Sequence, residues 1–266
     1  MEKNEILRSK KLYLFDMDGT LYLGSRLYDF TLELLDTLKR TGRSYLFMTN
    51  NSSKSVEDYV KKLGKLGITA TREDFMTSSQ ATAFYLHKHH EGQKLYVCGT
   101  ESLKEELRME GFTVTTNIDE VECIVMGFDT ELTFGKLWDV SRLLSTRDIP
   151  YIATNPDFVC PTEFGSVPDC GSVCDMIYNA TKKRPLVIGK PEPLMPRLAM
   201  ERLGISPAET CCVGDRIYTD IRCGLNAGIT TLLVLNGETT REILDASEEK
   251  PHFVLEDAGE ILAALQ

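Results

Sequence analysis

The chain has 266 residues, 42% hydrophobic and 26% charged, with a formal net charge of −10. This composition supports a packed core and excludes wholesale disorder. The acidic balance argues against a nucleic-acid partner, so an anionic ligand would need local positive charge from a metal, a lysine or backbone N–H groups.

No run of about 18 apolar residues occurs, which argues against a spanning helix and a membrane partner. Residues 1–8 contain no apolar signal core, so a cytoplasmic location is expected. There the eight cysteines are expected to be reduced. Cys170 and Cys174 are spaced C-x3-C, and Cys211-Cys212 are adjacent. No further pair has ligand-like spacing, so small buried hydrophobes are the expected role rather than a zinc site.

Leu12-Tyr13-Leu14-Phe15 reads as a buried strand. It runs into Asp16-Met17-Asp18-Gly19-Thr20, where Gly19 permits the turn that projects two carboxylates. Open parallel sheets place ligands at such strand ends. One carboxylate there can be a nucleophile or metal ligand, and the other can exchange a proton with a leaving group or a water. A helix is predicted over 29–41, with Phe30, Leu34, Leu35 and Leu38 on one face and Gly42 as its stop. Tyr45-Leu46-Phe47-Met48 predicts a second buried strand, ending in Thr49-Asn50-Asn51-Ser52-Ser53. Val56, Tyr59, Val60, Leu63 and Leu66 keep helical register, with Ser55 as N-cap and Asp58 three residues on.

The rhythm continues with strands at 95–98, 123–127 and 150–153 and helices at 101–110 and 134–145. Strand–helix alternation predicts a parallel sheet with right-handed crossovers. Residues 154–171 are rich in Pro, Gly, Asp and Thr and read as a long functional loop. A helix over 172–183 follows, then Leu186-Val187-Ile188-Gly189-Lys190-Pro191 and a helix over 194–203 ending at Gly204. The strand Thr210-Cys211-Cys212-Val213 leads into Gly214-Asp215-Arg216-Ile217-Tyr218-Thr219-Asp220. Another strand, Thr231-Leu232-Leu233-Val234-Leu235, ends in Asn236-Gly237. The stretch 45–51 weakly echoes 151–157, each a strand followed by Thr-Asn, without the fixed period of a repeat array.

Four strand-end clusters stand out: Asp16/Asp18, Thr49/Asn50, Lys190 and Asp215/Asp220. Phosphoryl transfer needs this inventory: a nucleophile, an acid/base, a divalent metal held by hard oxygens, and donors to the phosphoryl oxygens. Asp16, Asp18 and Asp215 suit Mg²⁺, and Lys190 suits a phosphate. In order and chemistry these clusters resemble the four motifs of the haloacid dehalogenase (HAD) superfamily. Thr49-Asn50-Asn51-Ser52, Gly189-Lys190-Pro191 and Gly214-Asp215-Arg216-x-x-Thr219-Asp220 resemble its NagD-like, p-nitrophenyl phosphatase-like branch, and the resemblance covers most of the chain.

The resemblance implies an α/β fold: a Rossmann-like parallel-sheet core (HAD-like) over 1–81 and 186–266, with an inserted α/β cap domain over 82–185. Thr154-Asn155-Pro156-Asp157 matches a segment typical of that cap. It implies Mg²⁺-dependent hydrolysis of a small phosphorylated metabolite, with no nucleic acid or membrane partner and with a cap-mediated homodimer as one option. Asp16 would attack phosphorus and form an aspartyl phosphate, and Asp18 would act as acid, then base. Mg²⁺ would bind the Asp16 and Asp215 carboxylates and the Asp18 carbonyl. Thr49, the Asn50 amide and Lys190 would bind the phosphoryl group, with Asp18 beside it, and Asp220 would orient Lys190 or a metal-bound water. Phe158, Glu163, Phe164 and Asp169, in the 154–171 loop, are expected to select the substrate.

Other readings are weaker. A signalling receiver is about half this length. A carbon–halogen hydrolase needs no acid at Asp18, and a non-catalytic phosphate-binding or regulatory protein should have lost a carboxylate. Gly19–Gly24 has Walker-like glycine spacing but no lysine, which rejects a P-loop. His87-Lys88-His89-His90 and Lys182-Lys183-Arg184 are read as solvated helix ends.

Overall fold

Leu12–Phe15 is apolar at every position and fully buried, so it is buried on both faces of a sheet. In the structure, a computed structural model that describes residues 2–162 and 164–266, it lies inside a six-stranded sheet. The strand order is Phe253–Leu255, Thr230–Val234, Thr210–Gly214, Leu12–Phe15, Ser44–Thr49, Phe75–Thr77. Leu12–Phe15 pairs in parallel with both neighbours, Leu12 opposite Thr210 on one side and Ser44 on the other. The chain therefore proceeds outward on one side, returns to the centre, and proceeds outward on the other. That reversal, between Leu12–Phe15 and Thr210–Gly214, is the switch point where such sheets bind ligands.

The helix Thr31–Arg40 buries Leu34, Leu35 and Leu38 and ends before Gly42. The helix Val56–Lys65 starts as expected: Ser55 Oγ accepts from the Asp58 N–H at 3.2 Å, and Asp58 Oδ2 accepts from the Ser55 N–H at 3.2 Å.

Backbone contacts divide the chain into two compact units: residues 1–49, 59–76 and 190–266, and residues 50–58 and 77–189. The six-stranded sheet dominates the first. The second has a four-stranded parallel sheet, ordered Leu186–Val187, Tyr151–Ala153, Cys123–Met126, Leu95–Cys98. Its core joins Tyr96, Ile124, Met126, Val140, Leu143, Cys170 and Ile177. Both sheets bear out the expected parallel α/β architecture.

Two expectations need correction. Residues 154–171 are not all loop, because Val159–Thr162 and Gly165–Pro168 form an antiparallel hairpin. The following helix spans Cys170–Thr181, two residues earlier than predicted, since Asp169 is its N-cap. All eight cysteines are free thiols, and seven of them are buried. Among the described residues no helix is long and apolar enough to cross a membrane.

Candidate active site

The central strand delivers Asp16 just past its last residue, where the Asp16 N–H still donates to the Val213 carbonyl at 2.8 Å. Gly19 turns the chain at φ +88°, and its N–H donates to Tyr22 O at 2.7 Å. A Cβ at Gly19 would stand 2.3 Å from Asp215 Oδ2, so only glycine lets this turn approach that carboxylate.

On the neighbouring strand, Thr210–Gly214 hands over to Asp215, and a single π-helical turn, Ile217–Ile221, presents Asp220. Asp220 is fully buried, and its Oδ2 accepts from the Arg216 N–H at 3.2 Å. Lys190, 3% exposed, places Nζ 2.6 Å from Asp16 Oδ1 and 2.6 Å from Asp220 Oδ1. It also donates to the Met48 carbonyl at 3.3 Å.

Asp16, Asp215 and Asp220 each offer an oxygen, all within 4.8 Å of one another. The crowding has electrostatic consequences. Burial, then the charges of Asp16 and Asp220, pushes the Asp215 carboxyl up to about 7. Burial pushes Asp220 up to about 6, against the pull of Lys190. Burial disfavours the Lys190 ammonium, but the two carboxylates outweigh it and hold the lysine charged, well above its ordinary value.

The donor set fits a hard divalent cation. Asp215 Oδ1 is buried and has no hydrogen-bond partner among the described residues, while Oδ2 accepts from the Glu238 N–H at 2.7 Å. Lys190 pairs with Asp16 and Asp220, and the Arg216 guanidinium acts on all three carboxylates while paired with Glu238, so carboxylates still outnumber cations here, a balance that a divalent cation would redress.

The remaining expected site residues are placed differently. The Asp18 side chain is 52% exposed; its Oδ1 accepts from the Gly24 N–H at 3.1 Å, and Lys62 Nζ is 3.5 Å from its Oδ2. The carboxylate that joins Asp16 and Asp215 is thus that of Asp220, not of Asp18. Thr49 ends its strand, half-buried. Asn50 falls in the second unit, where its Nδ2 donates to Asp157 Oδ2 at 2.8 Å. Phe158 and Phe164 are exposed, at 58% and 82%. Asp169 is buried, and its Oδ1 accepts from Asn155 Nδ2 at 3.0 Å. Glu163 lies outside the described residues.

Sequence reasoning passed over Lys62 and Glu238. A lysine on a polar helix face and a glutamate after a strand-end Asn-Gly carry no distinguishing pattern.

A profile described as haloacid dehalogenase-like hydrolase matches residues 13–113, and a second HAD hydrolase-like profile matches residues 187–261. The 5'-nucleotidase YutF of Bacillus subtilis is 36% identical over 254 residues, 96% of this chain and 98% of that protein. The chain belongs to the haloacid dehalogenase-like hydrolases. An acid sugar phosphatase of Staphylococcus aureus is 34% identical, covering 98% of this chain and all of that one. The crystal structure of a 4-nitrophenylphosphatase from Thermotoga maritima superposes with a TM-score of 0.94 at 39% identity, over 98% of this chain and 99% of that one. Within the family this chain is a phosphatase of the NagD-like, p-nitrophenyl phosphatase-like branch. Phosphatases of this family use a divalent metal.

Proposed function

We propose that this HAD-family phosphatase hydrolyses phosphomonoesters of small metabolites with Mg²⁺ as its ion, through a phosphoryl group carried on Asp16. The observation that supports this most is the charge arrangement at the switch point. Three carboxylates crowd within 4.8 Å, Lys190 bridges two of them, and Asp215 keeps one buried oxygen without a partner.

In the first step an Asp16 oxygen attacks phosphorus, the bond from phosphorus to the leaving oxygen breaks, and Asp18 gives that oxygen its proton. In the second, Asp18 takes a proton from water, the water oxygen bonds to phosphorus, and the acyl phosphate opens to release inorganic phosphate and Asp16. Asp18 suits both roles because its carboxylate reaches solvent, whereas Asp215 and Asp220 are buried. Lys190 offsets the charge of Asp16, so that an anionic phosphoryl group can approach it. Asp16, the Asp18 carbonyl and Asp215 would hold the cation, which when bound neutralises phosphoryl oxygens. Thr49 and Asn50 would contribute donors to the phosphoryl group, and Asp220 would fix Lys190.

The second unit is proposed as a cap that sets specificity, with the 154–171 segment, including the exposed Phe158 and Phe164, as the candidate selector. The relatives named above act, by their names, on nucleotides and sugar phosphates. Those two classes, with glycerol phosphates and phosphoglycolate, form the panel to assay. Phosphate release should appear with Mg²⁺ and cease in EDTA. No release from any member, with folded protein and Mg²⁺, would overturn the reading.

A further inference from the structure

After the strand Thr230–Val234, the segment Asn236-Gly237-Glu238-Thr239 wraps Asp215. The Glu238 N–H donates to Asp215 Oδ2 at 2.7 Å, and the Thr239 N–H donates to the Asp215 carbonyl at 3.1 Å. The backbone lies directly on the carboxylate: a Cβ at Gly237 would meet Asp215 Oδ2 at 2.2 Å.

The segment is also tied down by side chains. The Tyr28 hydroxyl donates to the Asn236 carbonyl at 2.8 Å. The Glu238 carboxylate accepts from the Tyr218 hydroxyl at 2.6 Å on Oε1, and its Oε2 forms an ion pair with Arg216, Nε lying 2.7 Å away without hydrogen-bond alignment. Arg216 and Tyr218 directly follow Asp215 in the chain. Arg216 and Glu238 therefore close a ring: Asp215 leads by peptide bond to Arg216, Arg216 pairs with Glu238, and the Glu238 N–H returns to Asp215.

This ring fixes which oxygen of Asp215 is used up. Oδ2 is occupied by a backbone donor, and Oδ1 is buried without a partner among the described residues. A carboxylate held by one oxygen presents the other in a fixed direction, as outer partners of metal ligands do.

We propose that residues 236–239 form a strap that positions Asp215 for the divalent cation, leaving Oδ1 as the ligating oxygen, and that Glu238 is its positioning residue. Glu238 touches neither substrate nor metal in this scheme. It acts by holding its own N–H in place through Arg216 and Tyr218. The inference rests on the metal reading above.

The test is calorimetric titration of Mg²⁺ into the full chain, with thermal unfolding in EDTA as the control for fold. Loss of outer partners costs roughly 10–100-fold in metal affinity. Glu238→Ala should weaken Mg²⁺ binding by about tenfold or more. Tyr218→Phe should do so less, and Glu238→Gln, which keeps an acceptor for the Tyr218 hydroxyl but loses the charge paired with Arg216, should fall between. All should melt in EDTA near the parent temperature. Parental affinity in a folded Glu238→Ala protein would overturn the strap. Absence of Mg²⁺ binding by the unsubstituted chain would overturn the metal reading instead.

Discussion

The strand ends of the two units have opposite polar character. Tyr151–Ala153 runs into Thr154-Asn155-Pro156-Asp157, and every functional side chain there finds a partner inside the second unit. Thr154 Oγ1 lies 2.9 Å from Ser52 Oγ and donates to Asn155 Oδ1 at 2.8 Å, and Asn155 Nδ2 donates to Asp157 at 2.9 Å and Asp169 at 3.0 Å. Leu12–Phe15 and Thr210–Gly214 end in the first unit's cluster, where three carboxylates face Lys190 and an Arg216 already paired with Glu238, and a buried oxygen is left over. The first arrangement is complete as folded and is a turn. The second leaves Asp215 Oδ1 without a partner among the described residues and is short of positive charge, which is why the cation is proposed there.

The contrast can be broken most severely at Asp16. Asp16→Asn should reduce phosphate release by roughly 10⁴-fold or more, as loss of a nucleophile does elsewhere, and no phosphate should be recovered on acid-quenched protein. A labelled protein with this substitution would place the nucleophile elsewhere.

Asp18→Asn comes next, with a loss of about 10²–10⁴-fold typical of a missing acid–base group. The loss should be larger on an alkyl phosphate than on p-nitrophenyl phosphate, whose leaving group needs no proton. A nitrophenolate burst of at most one equivalent should precede slow turnover. Equal losses on both substrates, with no burst, would reassign the acid.

The charge deficit also predicts a pH signature. Asp215, pushed up to about 7, holds its proton in the folded chain where the unfolded chain has lost it. Its contribution is therefore neutral below about 4, becomes destabilising as pH rises, and is fully destabilising above about 7, for a difference of order 4 kcal/mol. Melting in EDTA at pH 5 and pH 8, compared between the parent and Asp215→Asn, isolates this group. The parent should lose more stability over that interval, and Mg²⁺ should restore it in the parent alone. Identical slopes for the two proteins would show that the carboxyl is not held high.

The smallest effect belongs to the completed turn. Asn155→Ala should lower thermal stability by about 1–3 kcal/mol, since it strips donors from buried Asp169 and from Asp157. Mg²⁺ affinity should stay at the parental value; a weakened affinity would mean that the two strand ends are not independent.

How much of this was legible in the sequence depended on burial. Leu12–Phe15, Ser44–Thr49 and Thr210–Gly214 are covered on both faces, so they read as continuous apolar runs, and the acids beyond them were exposed as strand ends. The hairpin Val159–Thr162/Gly165–Pro168 was not legible, because its residues are mostly exposed and Pro161 and Gly165 imitate a loop. Helix Ser78–His89 offered no apolar stripe, because its first turns bury Ser78, Ser79, Gln80 and Thr82. At the site, Asp16 and Asp215 followed from position, but the proximity of Asp220 to them depends on one π-helical turn that no spacing rule announces.

The placement of Leu12–Phe15 also bears on how the chain is made. Its partner on one side is complete by residue 49, but its partner on the other, Thr210–Gly214, is synthesised last among the strands that meet at the switch point. At roughly 5–20 residues per second, the ribosome takes on the order of ten seconds to cover that interval. Throughout it, one edge of the most hydrophobic strand in the sheet lacks a neighbour, the condition under which strands pair with the wrong chain. Asp16 likewise waits 174 residues for Lys190, so the proposed nucleophile exists on the nascent polypeptide long before its buried lysine partner. Translation order thus leaves the acidic cluster unassembled until the final third of the chain has emerged.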